Sequence, residues 1–415
     1  MRKGLGSADC NAHRAGSGEN LMKDVIVVGG GPTGFITALG LAQAGAEVLL
    51  IEAGDAVIDS PRAAVYHWST LEGLERLGIR EEAERTGFPK QDYLWLVRQT
   101  GERIAYDLSV LKNTTQFPYN IHLGQDRLAE IARDRLEALP NAEVRFGTRM
   151  ERLAQDAGGV TLTTDRVEEL RARWVVGADG AGSEVRHQLG LAFEGFTWPE
   201  RFVATNVYHD FESADYGLST MVIDDKWGAV IVKIARDGLW RCTYMEDASL
   251  PEDSFLDRVP AAYEHLLAGN GGYKLDRAAP YKMHQRCAET FRKGRVMLAG
   301  DAAHVTNPTG GFGLTTGLFD AFSLWPTLAA VVLDEADPML LNRWADDRRR
   351  VYLERTSPQA TAYKRFVFHA NGGGVELEMA LKGMRAMSRD PDVRLQRLMF
   401  TKGLETASPV EGALA

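Results

Sequence analysis

A glycine-rich turn between a short strand and a helix constrains the fold of this chain more than any other part of its sequence. The apolar, β-branched run at 24–28 (DVIVV) predicts a buried strand, and it leads directly into Gly29, Gly30 and Gly31. The TGFITALGLAQAG stretch that follows predicts a helix, and VLLIE predicts a second strand. Because parallel strands joined by a helix need a crossover, this unit predicts an α/β fold built on a parallel sheet.

The same turn has the spacing of a dinucleotide site. Residues 29–34 (GGGPTG) form a GxGxxG pattern at the start of the helix. Gly29, Gly31 and Gly34 would let the N–H groups at the helix start approach a pyrophosphate. Glu52 ends the second strand, where its carboxylate can accept hydrogen bonds from both ribose hydroxyls and would disfavour a 2′-phosphate.

Two later segments have features of a cofactor site. Residues 177–186 (GADGAGSEVR) follow a predicted strand, although on their own they could also form a surface turn capped by Asp179. Residues 300–304 (GDAAH) follow another strand and precede the glycine-rich loop 308–317. At such a strand end Asp301 can bind a ribitol hydroxyl, and the next helix start can offer N–H groups to a flavin carbonyl.

Composition excludes several classes of protein. The 415 residues are 45% apolar and 25% charged, which is typical of a globular chain with two packed domains. The net charge of −9 argues against a nucleic-acid surface, and the basic run at 348–350 is interpreted as a solvated helix face. The most apolar window, 317–333, is interrupted by Asp320 and Pro326, so no membrane span is predicted.

The cysteines and the N-terminal segment bear on localisation. Cys10, Cys242 and Cys287 match neither a metal knuckle nor a redox pair, so no metal site is predicted and a reducing compartment is favoured. Residues 1–21 lack the apolar stretch of a signal peptide and are interpreted as a flexible tail, or as sequence upstream of a start at Met22. We therefore expect a cytoplasmic protein.

Together the three segments resemble the para-hydroxybenzoate hydroxylase family of single-component FAD monooxygenases, the group A flavoprotein monooxygenases. The patterns GADGxxSxVR and GDAAHxxxPxGGxG carry this resemblance, which extends over about residues 22–355. It implies a three-layer, Rossmann-like FAD-binding domain of the GR2 type with an inserted β-sheet substrate domain. The implied segments are a tail (1–21), the FAD-binding domain in two parts (22–190 and 286–355), the β-sheet substrate domain (191–285), and C-terminal helices with a tail (356–415).

The resemblance also implies roles for individual residues. Arg62 and Gln125 would add pyrophosphate and ribose contacts, and Asp179 would lie near the pyrophosphate and support the route of the pyridine nucleotide. Leu314 and Thr315 stand where the family often has Met and Asn. The implied FAD contacts are Gly29, Gly31, Pro32, Thr33, Gly34, Glu52, Arg62, Gln125, Asp179, Gly300, Asp301, Pro308, Gly311, Gly313, Leu314 and Thr315.

The implied activity is hydroxylation of a phenolic or related aromatic substrate with NADH or NADPH and O₂, through a flavin C4a-hydroperoxide. The catalytic candidates are His209, Arg241 and Tyr244 in the middle strands, and the carbonyl of Pro308. Arg241 and Tyr244 lie three residues apart, so on a regular strand only one of them would face the flavin. His304 is interpreted as a loop anchor.

Several alternatives remain open at this point. The same flavin site would suit an epoxidase or oxidase that acts on an alkene or a non-aromatic ring, or a non-catalytic flavin-binding redox protein. A flavin-dependent halogenase is disfavoured because the chain has no WxWxIP stretch. The sequence predicts no nucleic-acid or membrane partner, and it leaves open whether the protein is a monomer or a homodimer.

Overall fold

The computed structural model describes residues 22–58, 64–267, 271–369 and 375–410, so the predicted tail at 1–21 and Arg62 lie outside the described residues. The strands are β1 (Lys23–Val28), β2 (Val48–Ile51), β3 (Val65–Tyr66), β4 (Phe88–Lys90), β5 (Asp92–Val97), β6 (Glu102–Asp107), β7 (Asn120–His122), β8 (Ala142–Arg145), β9 (Met150–Asp156), β10 (Gly159–Thr164), β11 (Glu169–Gly177), β12 (Phe193–Tyr208), β13 (Ser219–Ile223), β14 (Ala229–Lys233), β15 (Leu239–Asp247), β16 (Lys274–Ala288), β17 (Arg292–Lys293), β18 (Val296–Leu298) and β19 (His304–Val305). The helices are α1 (Pro32–Gln43), α2 (Leu71–Arg76), α3 (Arg80–Thr86), α4 (Gln125–Glu137), α5 (Glu184–Gln188), α6 (Phe255–Leu267), α7 (Phe312–Val332), α8 (Leu340–Val351), α9 (Ser357–Phe368), α10 (Val375–Arg389) and α11 (Pro391–Lys402).

The first sheet has eight strands and contains the unit that the glycine-rich turn predicted. Its main path runs β17-β18-β11-β1-β2-β8, and β9 and β10 extend it from β11. β1 pairs in parallel with both β2 and β11, as the helical crossover requires. Gly40 of α1 leaves no room for a side chain beside Trp325 of α7, so these two helices pack closely together. The predicted α/β, Rossmann-like fold is confirmed.

The second sheet is larger than the predicted substrate segment. Its eight strands run β19-β16-β12-β15-β14-β13-β5-β6. β5 and β6 come from within 22–190, and β16 continues past residue 285, so the sequence-based boundaries leave out part of this sheet. β5 joins by pairing in parallel with β13, which is far away in the sequence. No local turn signal announces such a pairing.

The two faces of the second sheet pack against different partners. On one face Trp240, Cys242 and Tyr244 of β15 form a core with Tyr263 of α6. The alternate residues, including Arg241, point to the opposite face, toward the first sheet. Strand alternation therefore decides which side chains reach the space between the sheets.

Helix α7 is the longest in the described ranges, and it is apolar and largely buried. It nevertheless contains Asp320 and Pro326, and none of the helices in those ranges is long and apolar enough to cross a membrane.

Candidate active site

A cavity of about 900 Å³ lies between the two sheets, and all three sequence segments reach it. This is the upper end of the range for small-molecule and cofactor sites. The predicted FAD contacts that line it are Gly29, Gly31, Pro32, Thr33, Glu52, Gln125, Asp179, Gly300, Asp301, Pro308, Gly311, Gly313 and Leu314.

Close approach of the chain explains the glycines of the first segment. Gly29 has φ +112°, and a Cβ there would lie 2.4 Å from the Ala178 carbonyl oxygen, in the second segment. A Cβ on Gly34 would lie 2.0 Å from the Gly29 carbonyl oxygen, so Gly34 serves strand-to-helix packing and does not line the cavity. Gly31, which precedes the helix start at Pro32, has only open space within 4 Å of its Cβ position.

The carboxylate of Glu52 is held by backbone groups at the end of β2. Its Oε2 accepts a hydrogen bond of 2.6 Å from the Gly30 N–H, and its Oε1 accepts one of 2.7 Å from the Gly54 N–H. These bonds fix both oxygens at the cavity wall. The carboxylate is thus oriented beside the glycine-rich turn before any ligand binds.

The second segment, residues 177–186, forms part of the cavity wall and is not a surface turn. Asp179 accepts hydrogen bonds from Ser183 Oγ at 2.5 Å and from the Val185 N–H at 3.1 Å, while burial raises the pKa of this carboxyl. The guanidinium of Arg186 donates to the Ala302 carbonyl at 2.8 Å. Arg186 therefore ties the second segment directly to the third.

A buried ion pair supports the third segment. Asp320 Oδ2 accepts hydrogen bonds from the Gly300 N–H at 2.9 Å and from His304 Nε2 at 2.7 Å, and Oδ1 accepts one from Arg348 Nε at 2.7 Å. Burial alone would raise the pKa of Asp320, but His304 and Arg348 outweigh it and the pKa lies below its ordinary value. The loop that presents Asp301 is anchored in this way, with His304 as the anchor that the sequence suggested.

The interpretation of the basic run at 348–350 as a solvated face is wrong for its first residue. Arg348 is fully buried, Arg349 is half-buried and donates to the Ala288 carbonyl, and only Arg350 is exposed. The sequence signal for this ion pair was an acidic residue, Asp320, inside an otherwise apolar helix. Such a residue needs a buried cation as its partner.

The third segment continues into a helix start that faces the cavity. Gly311 has φ +71° and precedes Phe312, the first residue of α7, and no side chain caps this end. The N–H groups of Gly313 and Leu314 therefore have no partner within the helix and are free to bind an acceptor in the cavity. The hydroxyl of Thr315 donates to the Gly311 carbonyl and is buried, so Thr315 does not line the cavity.

His67 supports the same loop. Its Nε2 donates to the Gly310 carbonyl at 2.9 Å, and its ring stacks on Phe312 at 6.0 Å between centroids. Burial lowers the pKa of His67, which favours the neutral ring. His67 thus orients the loop from the cavity wall.

Two of the four catalytic candidates line the cavity. Arg241 projects from β15 and is nearly buried, and its Nε donates to Asn206 Oδ1 at 3.1 Å. Pro308 lies on the loop before α7. Of Arg241 and Tyr244, which lie on opposite faces of β15, only Arg241 lines the cavity.

The other two candidates, Tyr244 and His209, do not reach the cavity. Tyr244 lies on the opposite face of β15, buried beneath α6 and packed edge-on against Trp227. His209 follows the end of β12 and its Nδ1 bonds the Gly272 carbonyl at 3.0 Å. Both residues were catalytic candidates because of their side-chain chemistry. Strand alternation places Tyr244 on the face of β15 that points away from the cavity.

Sequence reasoning missed most of the aromatic wall of the cavity. These side chains come from β5, β6, β12, β16 and α9, which are distant in the sequence, so no local motif marks them. They are Tyr93, Trp95, Tyr106, Phe202, Tyr281 and Tyr363.

Comparison with known proteins identifies the family. The family model described as "FAD binding domain" matches residues 22–356, which include all three segments. The chain belongs to the FAD-dependent aromatic hydroxylase family.

Two relatives and one solved structure match this hydroxylase over most of their length. It is 42% identical over 399 residues to 6-hydroxy-3-succinoylpyridine 3-monooxygenase HspB of Pseudomonas putida (strain DSM 28022 / S16), which covers 93% of this chain and 99% of the relative. It is 44% identical over 345 residues to para-nitrophenol 4-monooxygenase of Pseudomonas sp. (strain WBC-3), with 81% and 85% covered. The crystal structure of p-nitrophenol 4-monooxygenase PnpA from Pseudomonas putida DLL-E4 superposes with a TM-score of 0.88 at 38% identity, with 92% and 98% covered.

The residues of the cavity fit the cofactor of this family. A pyrophosphate requires an open helix start, as beside Gly31, and a ribose requires a fixed carboxylate, as at Glu52. A flavin carbonyl requires N–H donors such as those of Gly313 and Leu314 at the start of α7. The enzyme is an FAD-dependent monooxygenase that takes electrons from NADH or NADPH. Bound FAD supplies the activation of O₂ and the transfer of one oxygen atom to an aromatic ring.

A buried lysine behind the aromatic wall predicts a pH dependence of stability. Lys90 is 3% exposed, its Nζ lies 3.4 Å from the centroid of the Tyr93 ring, and it has no hydrogen-bond partner among the described residues. Burial lowers the pKa of Lys90 to about 7, from an ordinary value of 10.5. Between these two values the unfolded chain binds more protons than the native protein, so the stability contributed through Lys90 rises with pH.

The variant Lys90→Met is expected to remove this pH dependence. From pH 7 to 10 the wild type should gain up to about 1.4 kcal/mol per pH unit relative to the variant. Urea unfolding of both proteins at pH 7, 8 and 9 measures the difference. Equal slopes in the two proteins would show that Lys90 is charged in the native state.

Proposed function

We propose that the substrate is a single-ring phenol or hydroxypyridine, bound between the loop at 308–314 and the second sheet. The observation that carries this proposal is the cluster of aromatic side chains on the sheet side of the cavity wall, which are Tyr93, Trp95, Tyr106, Phe202 and Tyr281. The names of two relatives, a para-nitrophenol 4-monooxygenase and a 6-hydroxy-3-succinoylpyridine 3-monooxygenase, support a ring of this size. Since FAD takes up much of a cavity of about 900 Å³, the remaining space suits one ring better than a fused ring system.

The arrangement of the cavity supports a specific orientation of FAD. The pyrophosphate would lie at the start of α1, beside Gly31, with the adenosine ribose on Glu52. Asp301 would hold the ribitol, and the N–H groups of Gly313 and Leu314 would bind the pyrimidine end of the flavin. The reactive end would then lie next to Pro308, facing the aromatic wall.

The chain's own residues would prepare the ring for oxygen transfer. The guanidinium of Arg241, held by Asn206, is a positive charge on the cavity wall that would favour an ionised phenol. An ionised phenol is more electron-rich and reacts more readily with an electrophilic oxygen. Trp95, Phe202 and Tyr363 would exclude water from the reacting atoms.

A screen of phenols and hydroxypyridines tests this function. We expect at least one single-ring compound to stimulate NADH or NADPH oxidation by the FAD-loaded enzyme and to yield a product that is heavier by one oxygen atom. Benzene derivatives without a hydroxyl group serve as the negative set. Stimulated oxidation that releases only hydrogen peroxide across the panel would exclude this class of substrate.

A further inference from the structure

The C-terminal helices bring a cation to the opening of the cavity. Arg397 of α11 lines the cavity and is exposed at its rim. Its neighbours on the same surface are already paired: Arg394 bonds Asp107 at 3.0 Å, and Arg385 of α10 bonds Glu102 at 2.7 Å. Within the described ranges Arg397 has neither an ion pair nor a hydrogen bond. Its charge is therefore available to a ligand.

The charge of Arg397 acts on the aromatic end of the cavity. Burial raises the pKa values of the Tyr106 and Tyr363 phenols, and Arg397 acts on both in the opposite direction. Both tyrosines line the cavity. An anionic group on a ring bound between them would be subject to the same attraction.

A glycine on the neighbouring helix makes room for this guanidinium. Gly383 lies in the middle of α10, where glycine is less favourable than alanine. A Cβ on Gly383 would lie 2.4 Å from a terminal nitrogen of Arg397. A side chain at Gly383 would therefore displace this guanidinium from its present position.

We propose that Arg397 is a specificity-determining residue that binds a carboxylate substituent of the aromatic substrate. Guanidinium and carboxylate groups form paired, charge-assisted hydrogen bonds, and the substituent would extend from the ring toward the rim. Arg241, whose guanidinium lines the cavity from β15, already bonds Asn206. Arg397 lies beyond the segment that the family model matches, so the proposed contact is additional to the three FAD segments. The proposal rests on the proposed function in assuming that an aromatic ring occupies this end.

Binding of a matched pair of ligands tests the proposal independently of turnover. The probes are 4-hydroxyphenylacetate and its neutral amide, 4-hydroxyphenylacetamide, titrated into the oxidised FAD-loaded enzyme by calorimetry. We expect the wild type to bind the acid more tightly, and Arg397→Ala to weaken binding of the acid by about 10- to 100-fold while leaving the amide unchanged. Arg397→Lys should restore part of the difference, since it keeps the charge and loses the paired geometry.

Two further variants separate the position of the charge from the stability of the helices. Gly383→Ala should weaken binding of the acid without unfolding α10, because alanine favours the helix and its Cβ displaces the guanidinium. Arg394 lies on α11, like Arg397, but is paired with Asp107. Arg394→Ala should therefore leave the preference for the acid unchanged. Equal binding of acid and amide by the wild type, or the same preference in Arg397→Ala, would overturn the proposal. If the acid binds through Arg397 but no phenol is hydroxylated, the proposed function fails and the binding role of Arg397 stands.

Discussion

Replacing Arg348 with methionine is expected to lower the free energy of unfolding of the FAD-loaded enzyme by about 3–5 kcal/mol. The loss of the guanidinium would leave Asp320 as a fully buried carboxylate with His304 as its remaining side-chain partner. It would also remove the hydrogen bonds that Arg348 donates to the Leu404 and Thr316 carbonyls. Because the same carboxylate accepts the Gly300 N–H, the variant should also retain FAD more weakly.

Urea unfolding at a fixed FAD concentration measures this effect. The control is a variant of another arginine in the basic run at 348–350. Arg350→Met, at an exposed position, should change the free energy of unfolding by less than about 0.5 kcal/mol. The double variant Asp320→Asn with Arg348→Met should be more stable than Arg348→Met alone, since no unpaired charge remains. Equal losses in Arg348→Met and Arg350→Met would contradict the assignment of a buried ion pair.

This ion pair also marks the limit of sequence reasoning for the cofactor site. Each of the three FAD segments contains one or more glycines in a turn that directly follows a strand, so it can be recognised from neighbouring residues alone. The partner of Asp320 lies on another helix, and the crossing of α7 and α8 decides whether the two side chains meet. Asp320 could be recognised as an interruption of an apolar window, but Arg348 could not be distinguished from Arg350.

The substrate side was predicted less well for a different physical reason. Alternation along β15 places Arg241 and Tyr244 on opposite faces, but it does not tell which of them lines the cavity. Both faces of the second sheet are buried, one beneath α6 and the other against the cavity. On β15 the apolar and aromatic set of Trp240, Cys242 and Tyr244 packs beneath α6, whereas Arg241 and Thr243 line the cavity. Because side chains on both faces are buried, alternation alone does not tell which set lines a ligand cavity.

Substituting alanine for Gly34 is expected to weaken FAD binding strongly. The new Cβ would lie 2.0 Å from the Gly29 carbonyl oxygen, a backbone atom that cannot move without separating α1 from β1. Overpacking of this kind lowers the free energy of unfolding by about 1–3 kcal/mol. The shift also moves the helix start away from the pyrophosphate position, so the Kd for FAD should rise by at least about 100-fold, or roughly 2.7 kcal/mol.

Alanine at Gly31 makes the matched variant, because it adds the same methyl group three residues earlier in the same turn. Its Cβ meets no atom within 4 Å, so apoprotein stability should stay within about 0.5 kcal/mol of wild type. The methyl group would nevertheless occupy the space in which the pyrophosphate approaches the helix start, and the Kd measured by flavin fluorescence should rise. Wild-type FAD affinity in Gly31→Ala would place the pyrophosphate elsewhere, whereas loss of affinity without loss of stability would separate the cradle at Gly31 from the packing contact at Gly34.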